Sequence, residues 1–411
     1  MTEDRVRVVV LGSGFASVSF LRAIDTKRHH LTVVSPRNHF LFTPLLPSTT
    51  VGTLEFRSIV ESVRRACPDA IYYQAEATGF DPESKTLQCR ATFDASEFKL
   101  PYDRLIIGVG ATANTYNVPG VREYTHFLKE LSDARSIREH ILECFERAAH
   151  PPQSEADRQR VLHFVVVGGG PTGVEFAAEL HDFITEDLRR HYADLIRYVR
   201  ITILEAGPTI LTTFDDALKA YTMKVFRRHR IGVRTSSPVT AVRADHMTLA
   251  DGSELEFGMA VWTAGIAPVG FVRSLPLAKD GSGRLLTDEY LCLKGIPDVF
   301  ALGDCMTIEG TPFPSTAQTA QQQGAYLART FNRRARGKPV VPFRYRHYGM
   351  LAYIGGGRAL ADLESVKGRG FATWLFWRSA YLTRIVSLKN KTLVLFDWLK
   401  TAVFGRDLSK F

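Results

Sequence analysis

Closely spaced glycines occur at two points in the chain, with the spacing that phosphate binding requires. In Gly168-x-Gly170-x-x-Gly173, the first glycine permits a tight turn and the second lets the backbone approach a pyrophosphate, while the third lets a helix pack closely on a strand. The N-terminus of that helix would supply N–H donors and the positive end of its dipole. This spacing predicts a dinucleotide-binding site.

A carboxylate is expected at the edge of this site. The apolar run Ile201–Leu204 predicts the next strand, which leads directly into Glu205. An acid at that point accepts hydrogen bonds from ribose hydroxyls and repels a 2′-phosphate, so NADH is favoured over NADPH. Glu205 lies 32 residues beyond Gly173, farther than the usual ~20 residues. We expect a lengthened helix to account for the difference.

The other glycine segment, Gly12-Ser-Gly14, is less regular. Ser17 stands where a third glycine is expected, and the next strand ends in Ser35 instead of an acid. Taken alone, such a segment is also compatible with a structural turn that binds no ligand. The two segments together, with Gly303-Asp304 after a third apolar run, favour two dinucleotide sites.

Further polar residues have types that suit redox chemistry. Asp304 can reach the ribityl hydroxyls of a flavin, although an isolated Gly-Asp pair is more often a plain turn. Gln318 and Gln322 share one face of a helix, and their amides can donate to a carbonyl or accept from a hydroxyl. A solvated polar face is the alternative interpretation. For Cys305 we favour a buried structural role.

The elements that must position these residues repeat along the chain. The β-branched runs Val6–Leu11 and Val161–Val167 each lead into glycines and then into a helical pattern, as at the start of a βαβ unit. A loop is expected at 151–154. The runs Leu105–Ala111 and Ala260–Gly265 each predict a strand that ends in small residues. The sequence therefore predicts two α/β nucleotide-binding domains.

Composition narrows the class of protein. Of 411 residues, 45% are hydrophobic and 23% charged, which predicts a large globular core and excludes wholesale disorder. The net charge of +9 selects no partner by itself, and no motif for nucleic-acid binding supports that class. The five cysteines form no CxxC pair. A disulfide framework, a zinc ribbon and a dithiol centre are therefore excluded, and no metal site is predicted.

Positive charge concentrates at the C-terminus. Residues 365–411 contain nine Lys or Arg against two acids, together with three of the four tryptophans. Two amphipathic helices, at 371–387 and 392–404 with a joint at 389–391, would place apolar faces in a membrane interface and basic residues against anionic headgroups. A hairpin packed on the core or in a dimer interface is the alternative. Arg378 and Arg384 interrupt the most apolar stretch, so no spanning helix is expected.

The order of these motifs resembles that of the type II (alternative, rotenone-insensitive) NADH:quinone oxidoreductases, flavoproteins with two dinucleotide-binding domains. The likeness covers nearly the whole chain. The amino-acid sequence of residues 35–52 and of the C-terminus is most similar to the mitochondrial branch of this family. The segments that carry it, besides the two glycine segments, are 35–52, 165–175, 300–304, 317–323, 396–400 and 405–407.

The resemblance implies a role for each site residue. The residues implied for tightly bound FAD are Gly12, Gly14, Thr43, Ala111, Gly303, Asp304 and Ala317. Those implied for NADH are Gly168, Gly170, Gly173, Glu205, Ala264 and Gly265. Glu175 would contact the nicotinamide end, and Gln318 and Gln322 would line a quinone channel, so these three are the implied catalytic residues. The chain has no DxDxDG loop, so calcium regulation is not expected.

The resemblance also implies the architecture and the setting. The expected fold is α/β, with two Rossmann-like domains and a C-terminal amphipathic helical segment that anchors the protein to a membrane. The expected divisions are 1–115 and 268–345 for FAD, 116–267 for NADH, and 346–411 for membrane association and dimerisation. The implied reaction passes two electrons from NADH to a ubiquinone- or menaquinone-type acceptor without pumping protons.

Two alternatives stay open at this point. A sulfide:quinone oxidoreductase, or another FAD-dependent pyridine nucleotide oxidoreductase, would share the fold. Sulfide:quinone chemistry needs persulfide cysteines beside the flavin and does not require an intact NADH segment. The resemblance places the protein on the mitochondrial inner membrane as a peripheral homodimer. Because no signal or transit peptide is recognised before Val6, the cytoplasmic face of a bacterial plasma membrane is the other expectation.

Overall fold

The computed structural model describes residues 5–151 and 153–409. Pro152 of the expected loop and Lys410 of the basic C-terminus lie outside the described residues. The chain divides into two compact units, each assembled from separated stretches of sequence. Unit 1 combines the described residues of Met1–Leu41, Val60–Thr112 and Ile266–His347. Unit 2 combines those of Phe42–Ile59, Ala113–Gly265 and Tyr348–Phe411.

A parallel sheet forms the centre of unit 1. Its strands, in spatial order, are Val299–Ala301, Arg104–Ile107, Val6–Leu11, His29–Val34 and Ala70–Tyr73. Val8 pairs with Leu31 on one side and with Arg104 on the other. The apolar runs are buried on both faces of the sheet, which explains why they are continuous and do not alternate with polar residues.

Helices and shorter strands complete unit 1. The helix Ala317–Arg334 packs on Phe15–Ala23, and a Cβ at Gly324 would lie only 2.1 Å from the carbonyl oxygen of Ala16, so this close approach requires glycine. The other helices are Val63–Ala66 and Gly270–Ser274. The antiparallel strands are Ala75–Asp81, Thr86–Ala91, Glu97–Pro101, His39–Leu41 and Val60–Ser62, and Leu285–Thr287 pairs with Met306–Ile308.

Unit 2 repeats the central arrangement. Its parallel strands, in spatial order, are His126–Phe127, Met259–Trp262, His163–Val167, Arg200–Leu204 and Ile231–Arg234. Its helices before residue 350 are Leu46–Thr49, Val121–Tyr124, Leu131–Ala149, Glu155–Val161, Pro171–Phe183, Arg189–His191 and Asp216–Arg228. A π-helical turn, Ile184–Leu188, joins two of these into one long helix.

The C-terminal part of unit 2 contains strands that the sequence did not predict. Met350–Tyr353, Ala359–Asp362 and Lys367–Gly370 form an antiparallel sheet, followed by the helices Phe371–Arg384 and Leu388–Phe404. The antiparallel strands Val239–Val242, His246–Leu249 and Glu254–Glu256 were also not predicted. These strands are only three or four residues long, too short to show the apolar alternation that identifies a strand from sequence.

The structure differs from the expected boundaries at several points. Residues 42–59 belong to unit 2, although they were assigned with 1–115, and the C-terminal segment is also part of unit 2. Val161 ends a helix, so its strand begins only at His163. The C-terminal helices break at 385–387, because the Ser387 side chain caps the second helix by accepting from the Asn390 N–H. The expected joint at 389–391 was therefore wrong.

Candidate active site

The first glycine segment forms a tight turn at the end of the central strand of unit 1. Gly12 has φ +94°, and a Cβ there would lie 2.3 Å from the carbonyl oxygen of Gly108, so no other residue fits. Gly14 caps the helix Phe15–Ala23 without a side-chain hydrogen bond, and a Cβ built on it would have no neighbour within 4 Å. The helix N-terminus at Gly14 therefore borders open space that suits a pyrophosphate.

Ser17 is accommodated in this turn because its neighbour is glycine. Its hydroxyl donates to the carbonyl of Leu11 at 3.4 Å and lies 2.5 Å from where a Cβ of Gly108 would be. Ser35 is buried at the end of the next strand, and its hydroxyl bonds that of Ser13 at 3.2 Å. The departures from the regular pattern are thus packed within unit 1 and leave the helix N-terminus open.

A glutamine that the sequence did not single out holds the Gly303-Asp304 turn. The side-chain oxygen of Gln323 accepts a 2.7 Å hydrogen bond from the Gly303 N–H, and Gln323 is buried. Gly303 has φ +74° and begins the short turn Gly303–Cys305. Cys305 is fully buried, and burial raises the pKa of its thiol to about 12. A structural role for Cys305 accords with that burial.

The two glutamines predicted for the quinone channel lie one turn apart on the helix Ala317–Arg334, and both are half-buried. The amide of Gln322 is engaged twice with one backbone segment. It donates to the carbonyl of Arg346 at 2.8 Å and accepts from the Arg346 N–H at 2.9 Å. Gln322 therefore fixes the segment around Arg346, so its amide group is already used within unit 1.

The second glycine segment is the more regular of the two. Gly168 has φ +113° and packs against Thr263, and a Cβ on Gly173 would lie 2.1 Å from the carbonyl oxygen of Gly168. Gly170 caps the helix Pro171–Phe183 without a side-chain bond, and its surroundings are open within 4 Å. Backbone conformation therefore favours glycine at 168, and close packing requires it at 173. Gly170 faces free space.

Glu205 lies at this turn, as its position at the end of a strand predicted. Its two carboxylate oxygens accept 2.7 Å hydrogen bonds from the N–H groups of Gly169 and Gly207. The long interval from Gly173 contains the extended helix with its π-helical turn, followed by the 3-10 segment Ala193–Tyr198. The expectation of a lengthened helix is confirmed.

The other residues implied for the cofactors are placed as follows. In unit 2, Ala264 and Gly265 lie just beyond the strand Met259–Trp262, after Thr263, and Gly265 is exposed with φ +66°. Thr43, also in unit 2, begins a 3-10 turn. In unit 1, Ala111 begins the short strand Ala111–Ala113, and Ala317 is the first residue of its helix.

Glu175 is buried inside unit 2 and is not a solvated acid of the helix surface. Its Oε1 atom accepts a 3.0 Å hydrogen bond from the backbone N–H of Tyr353. Burial raises the pKa of Glu175 to about 8. The hydrogen bond from Tyr353 lowers this pKa, and the nearby acid Glu179 raises it further. At neutral pH this side chain therefore mostly retains its proton.

A second buried acid lies one helical turn further on. Glu179 accepts from the hydroxyls of Ser48 at 2.6 Å and Thr53 at 2.8 Å. Burial raises the pKa of Glu179, although Arg406 and the two hydroxyl donors oppose that rise. Arg406 in turn donates to the Thr53 hydroxyl at 3.0 Å. No sequence spacing signals this network, because its members come from three distant segments.

The C-terminal helices have one buried and one exposed face. Asp397 is 4% exposed and accepts from the Glu55 N–H and the Ser58 hydroxyl, which fastens the second helix to 42–59 within unit 2. Trp377 and Trp398 point inward, contrary to their expected place in a membrane interface. The exposed apolar residues are Phe371, Leu375, Phe376, Leu388, Leu395, Phe396, Leu399, Val403 and Phe404.

Comparison with known proteins identifies this arrangement. Residues 6–324 match the pyridine nucleotide-disulphide oxidoreductase family, and residues 347–407 match the NDH2 C-terminal domain. A Dictyostelium discoideum protein described as a probable NADH dehydrogenase is 44% identical over 99% of this chain and 92% of its own length. The chain belongs to the type II NADH dehydrogenases. The α/β fold expected from the resemblance is confirmed.

Other type II NADH dehydrogenases align over similar lengths. An Arabidopsis thaliana mitochondrial protein named internal alternative NAD(P)H-ubiquinone oxidoreductase A1 is 41% identical, with 99% of this chain and 86% of that protein covered. The structure of NDH2 from Plasmodium falciparum in complex with NADH superposes with a TM-score of 0.93 at 29% identity. That match covers 99% of this chain and all of the other.

Proposed function

We propose that this type II NADH dehydrogenase uses FAD to transfer two electrons from NADH to a membrane quinone, without pumping protons. The relatives named as ubiquinone oxidoreductases support the acceptor class. Bound FAD would supply the redox chemistry, by accepting a hydride from the nicotinamide and passing the electrons on. The chain's own residues would bind the two nucleotides, orient their rings and exclude water.

The position of Glu205 carries this proposal. Its carboxylate lies beside the open helix N-terminus at Gly170, where an NADH pyrophosphate would bind, and within reach of the adjacent ribose. Gly168 and Gly173 allow the close backbone approach, and Ala264 and Gly265 would border the nicotinamide. A sulfide:quinone oxidoreductase is disfavoured, because Cys305 is a buried, high-pKa thiol and the NADH segment is intact.

FAD would bind in unit 1 at the first glycine turn. The N–H groups around Gly12 and Gly14 would bind its pyrophosphate, and Asp304 would accept from the ribityl hydroxyls. Gln323 orients that aspartate by holding Gly303. The further positions proposed for FAD are Thr43, Ala111 and Ala317, as the resemblance implied.

We also propose roles for three polar side chains. Glu175, which keeps its proton to about pH 8, would donate a hydrogen bond at the nicotinamide end. Gln318 would hydrogen-bond the quinone, and Gln322 would position the neighbouring segment at Arg346. All three residues are therefore targets for separating the NADH half-reaction from the quinone half-reaction.

The membrane is the proposed location of the acceptor. Within the described part of the chain, no helix is both long and apolar enough to cross a bilayer. The exposed apolar face of the C-terminal helices, with exposed Arg384 and Lys389 close by, would enter the interface with an anionic membrane. The mitochondrial relatives favour the inner mitochondrial membrane, a bacterial plasma membrane is the alternative, and a homodimer is the proposed assembly.

An anaerobic titration tests the function. The purified protein should show flavin absorbance, lose it on addition of NADH, and regain it when a short-chain ubiquinone is added. A colourless protein, or a reduced flavin that no lipophilic benzo- or naphthoquinone reoxidises, would contradict the proposal. Reduction of the flavin by added sulfide, with no response to NADH, would favour the alternative instead.

A further inference from the structure

Two histidines and an aspartate meet in unit 2 at a place the proposed reaction does not use. His181 and Asp182 lie on the helix Pro171–Phe183, and His229 ends the helix Asp216–Arg228. One potential ligand atom from each residue lies within 4.8 Å of the other two. The Nδ1 atom of His181 is 3.2 Å from the Oδ1 atom of Asp182.

The chain leaves one of these atoms without a protein partner. The Nδ1 atom of His229 is buried and, within the described residues, has no hydrogen bond. A loop of glycines covers the cluster, and a Cβ on Gly355 would lie 3.4 Å from that nitrogen and 3.5 Å from Oδ1 of Asp182. Glycine at this position, with φ +88°, leaves space beside both atoms. A buried nitrogen without a hydrogen-bond partner, close to a carboxylate oxygen, requires an explanation, and a bound ion supplies one.

We propose that His181, Asp182 and His229 bind a divalent transition-metal ion of the Zn²⁺ class. Two imidazole nitrogens and one carboxylate oxygen suit Zn²⁺, Co²⁺, Ni²⁺ or Cu²⁺ better than Mg²⁺ or Ca²⁺, which prefer oxygen ligands throughout. Water would complete the coordination. This departs from the sequence-based expectation that the chain has no metal site.

The surroundings orient the carboxylate ligand. Asp182 accepts hydrogen bonds from the Tyr353 hydroxyl and, at 3.0 Å, from the Gly356 N–H. Such outer contacts commonly fix the ligands of a metal site. The two imidazole rings are stacked 4.4 Å apart and only 6° from parallel. Because an ion binds in the plane of each ring, one imidazole turns about its Cβ–Cγ bond when the ion enters.

One nearby charge opposes the ion. The guanidinium of Arg358 donates to the carbonyl of Gly356 at 3.3 Å, next to His229. Repulsion between this cation and a divalent ion weakens binding. Arg358→Gln is therefore expected to tighten binding, whereas loss of either histidine weakens it. These opposite effects separate a metal site from a general change in folding.

Zn²⁺ titration calorimetry on the FAD-loaded, untagged, chelator-treated protein tests the proposal. One saturable site is expected, with affinity at least about tenfold weaker in His229→Ala and in His181→Ala. His150→Ala, at an exposed histidine of the same unit, is the matched control and should bind as the wild type does. Arg358→Gln should bind at least about threefold more tightly.

Cu²⁺ provides a measurement that needs no variant. The electron paramagnetic resonance spectrum of the protein with one equivalent of Cu²⁺ should show hyperfine coupling to two imidazole nitrogens, because two histidines are proposed as ligands. Absence of saturable Zn²⁺ binding, equal affinity in folded His229→Ala, or a Cu²⁺ spectrum without nitrogen coupling would each overturn the site. None of these readouts depends on NADH oxidation, so failure of the proposed function would leave them unaffected.

Discussion

The buried carboxyl group of Glu175 accepts a hydrogen bond from the backbone N–H of Tyr353, 178 residues further along the chain. This contact joins the helix that follows the second glycine turn to the C-terminal sheet of unit 2. Tyr353 also donates its hydroxyl to Asp182 on the same helix. The C-terminal segment is therefore bonded to the nucleotide-binding helix at an ionisable residue proposed for the reaction.

The raised pKa of Glu175 predicts a dependence of stability on pH. The folded protein keeps a proton that the unfolded chain releases between pH 4.5 and about 8, so this contribution to stability is lost as the pH rises through that window. The contribution to the free energy of unfolding is on the order of 1.4 kcal/mol per unit of pKa shift. Glu175→Gln should remove it.

Thermal melting at about pH 5 and about pH 9 measures this effect. Between these two pH values, the melting temperature should fall more in the wild type than in Glu175→Gln. Glu123→Gln, at an exposed acid of the same unit, should behave as the wild type. Parallel melting curves for the wild type and Glu175→Gln would show that Glu175 titrates normally.

Glu205 is expected to select the nucleotide. Glu205→Gln removes the negative charge that repels a 2′-phosphate, so the ratio of kcat/KM for NADH over NADPH should fall by about tenfold. Steady-state kinetics with both nucleotides measures the ratio. Glu254→Gln, at a side chain 65% exposed, is the control and should leave the ratio unchanged. An unchanged ratio in Glu205→Gln would show that another residue sets the preference.

Gln322 should affect only the quinone half-reaction. Gln322→Ala removes both hydrogen bonds to Arg346, so reoxidation of the flavin by quinone should slow at least about tenfold while its reduction by NADH is spared. Gln318→Ala should act in the same direction by loss of the proposed quinone contact. Stopped-flow absorbance separates the two steps, and Gln321→Ala is the neighbouring control. Slower reduction with normal reoxidation would exclude a quinone role.

Membrane binding should depend on exposed apolar side chains of the second C-terminal helix. Leu395, Leu399 and Phe404 are 49%, 63% and 82% exposed. Their joint change to Gln should weaken binding to anionic vesicles more than about tenfold. Point substitutions are preferred to a deletion, because Trp377 and Trp398 of the same segment are packed inside unit 2. Val341→Gln, at a residue 70% exposed in unit 1, is the control in flotation assays.

Arg406 should contribute strongly to stability. It pairs with Asp187 at 2.7 Å, and both side chains are less than a tenth exposed. Arg406→Met leaves that carboxylate buried without its partner and should cost about 3–5 kcal/mol in the free energy of unfolding. Lys294→Met breaks an exposed pair with Glu309 and should cost at most about 1 kcal/mol. Denaturant unfolding measures both, and equal losses would refute the assignment.

The local elements were predictable because their physical causes are local. Three glycines at this spacing form a phosphate-binding turn between a strand and a helix. The segment from Gly168 to Gly173 therefore predicted the strand, the turn and the helix together. Glu205 followed from the end of the next strand, and the two sheets followed from continuous apolar runs. The resemblance supplied the roles of Thr43, Ala111 and Ala264, which no spacing indicates.

The tertiary structure alone decided which polar groups meet and which ionise. Three interactions join residues from distant segments: Gln323 with Gly303, Tyr353 with Glu175, and Arg406 with Glu179. No periodicity in the sequence encodes such pairs. It also turned two tryptophans inward and engaged Gln322 with the backbone. A side chain's pKa and exposure depend on the groups that folding brings around it, whereas a turn or a strand depends on its own neighbours in sequence.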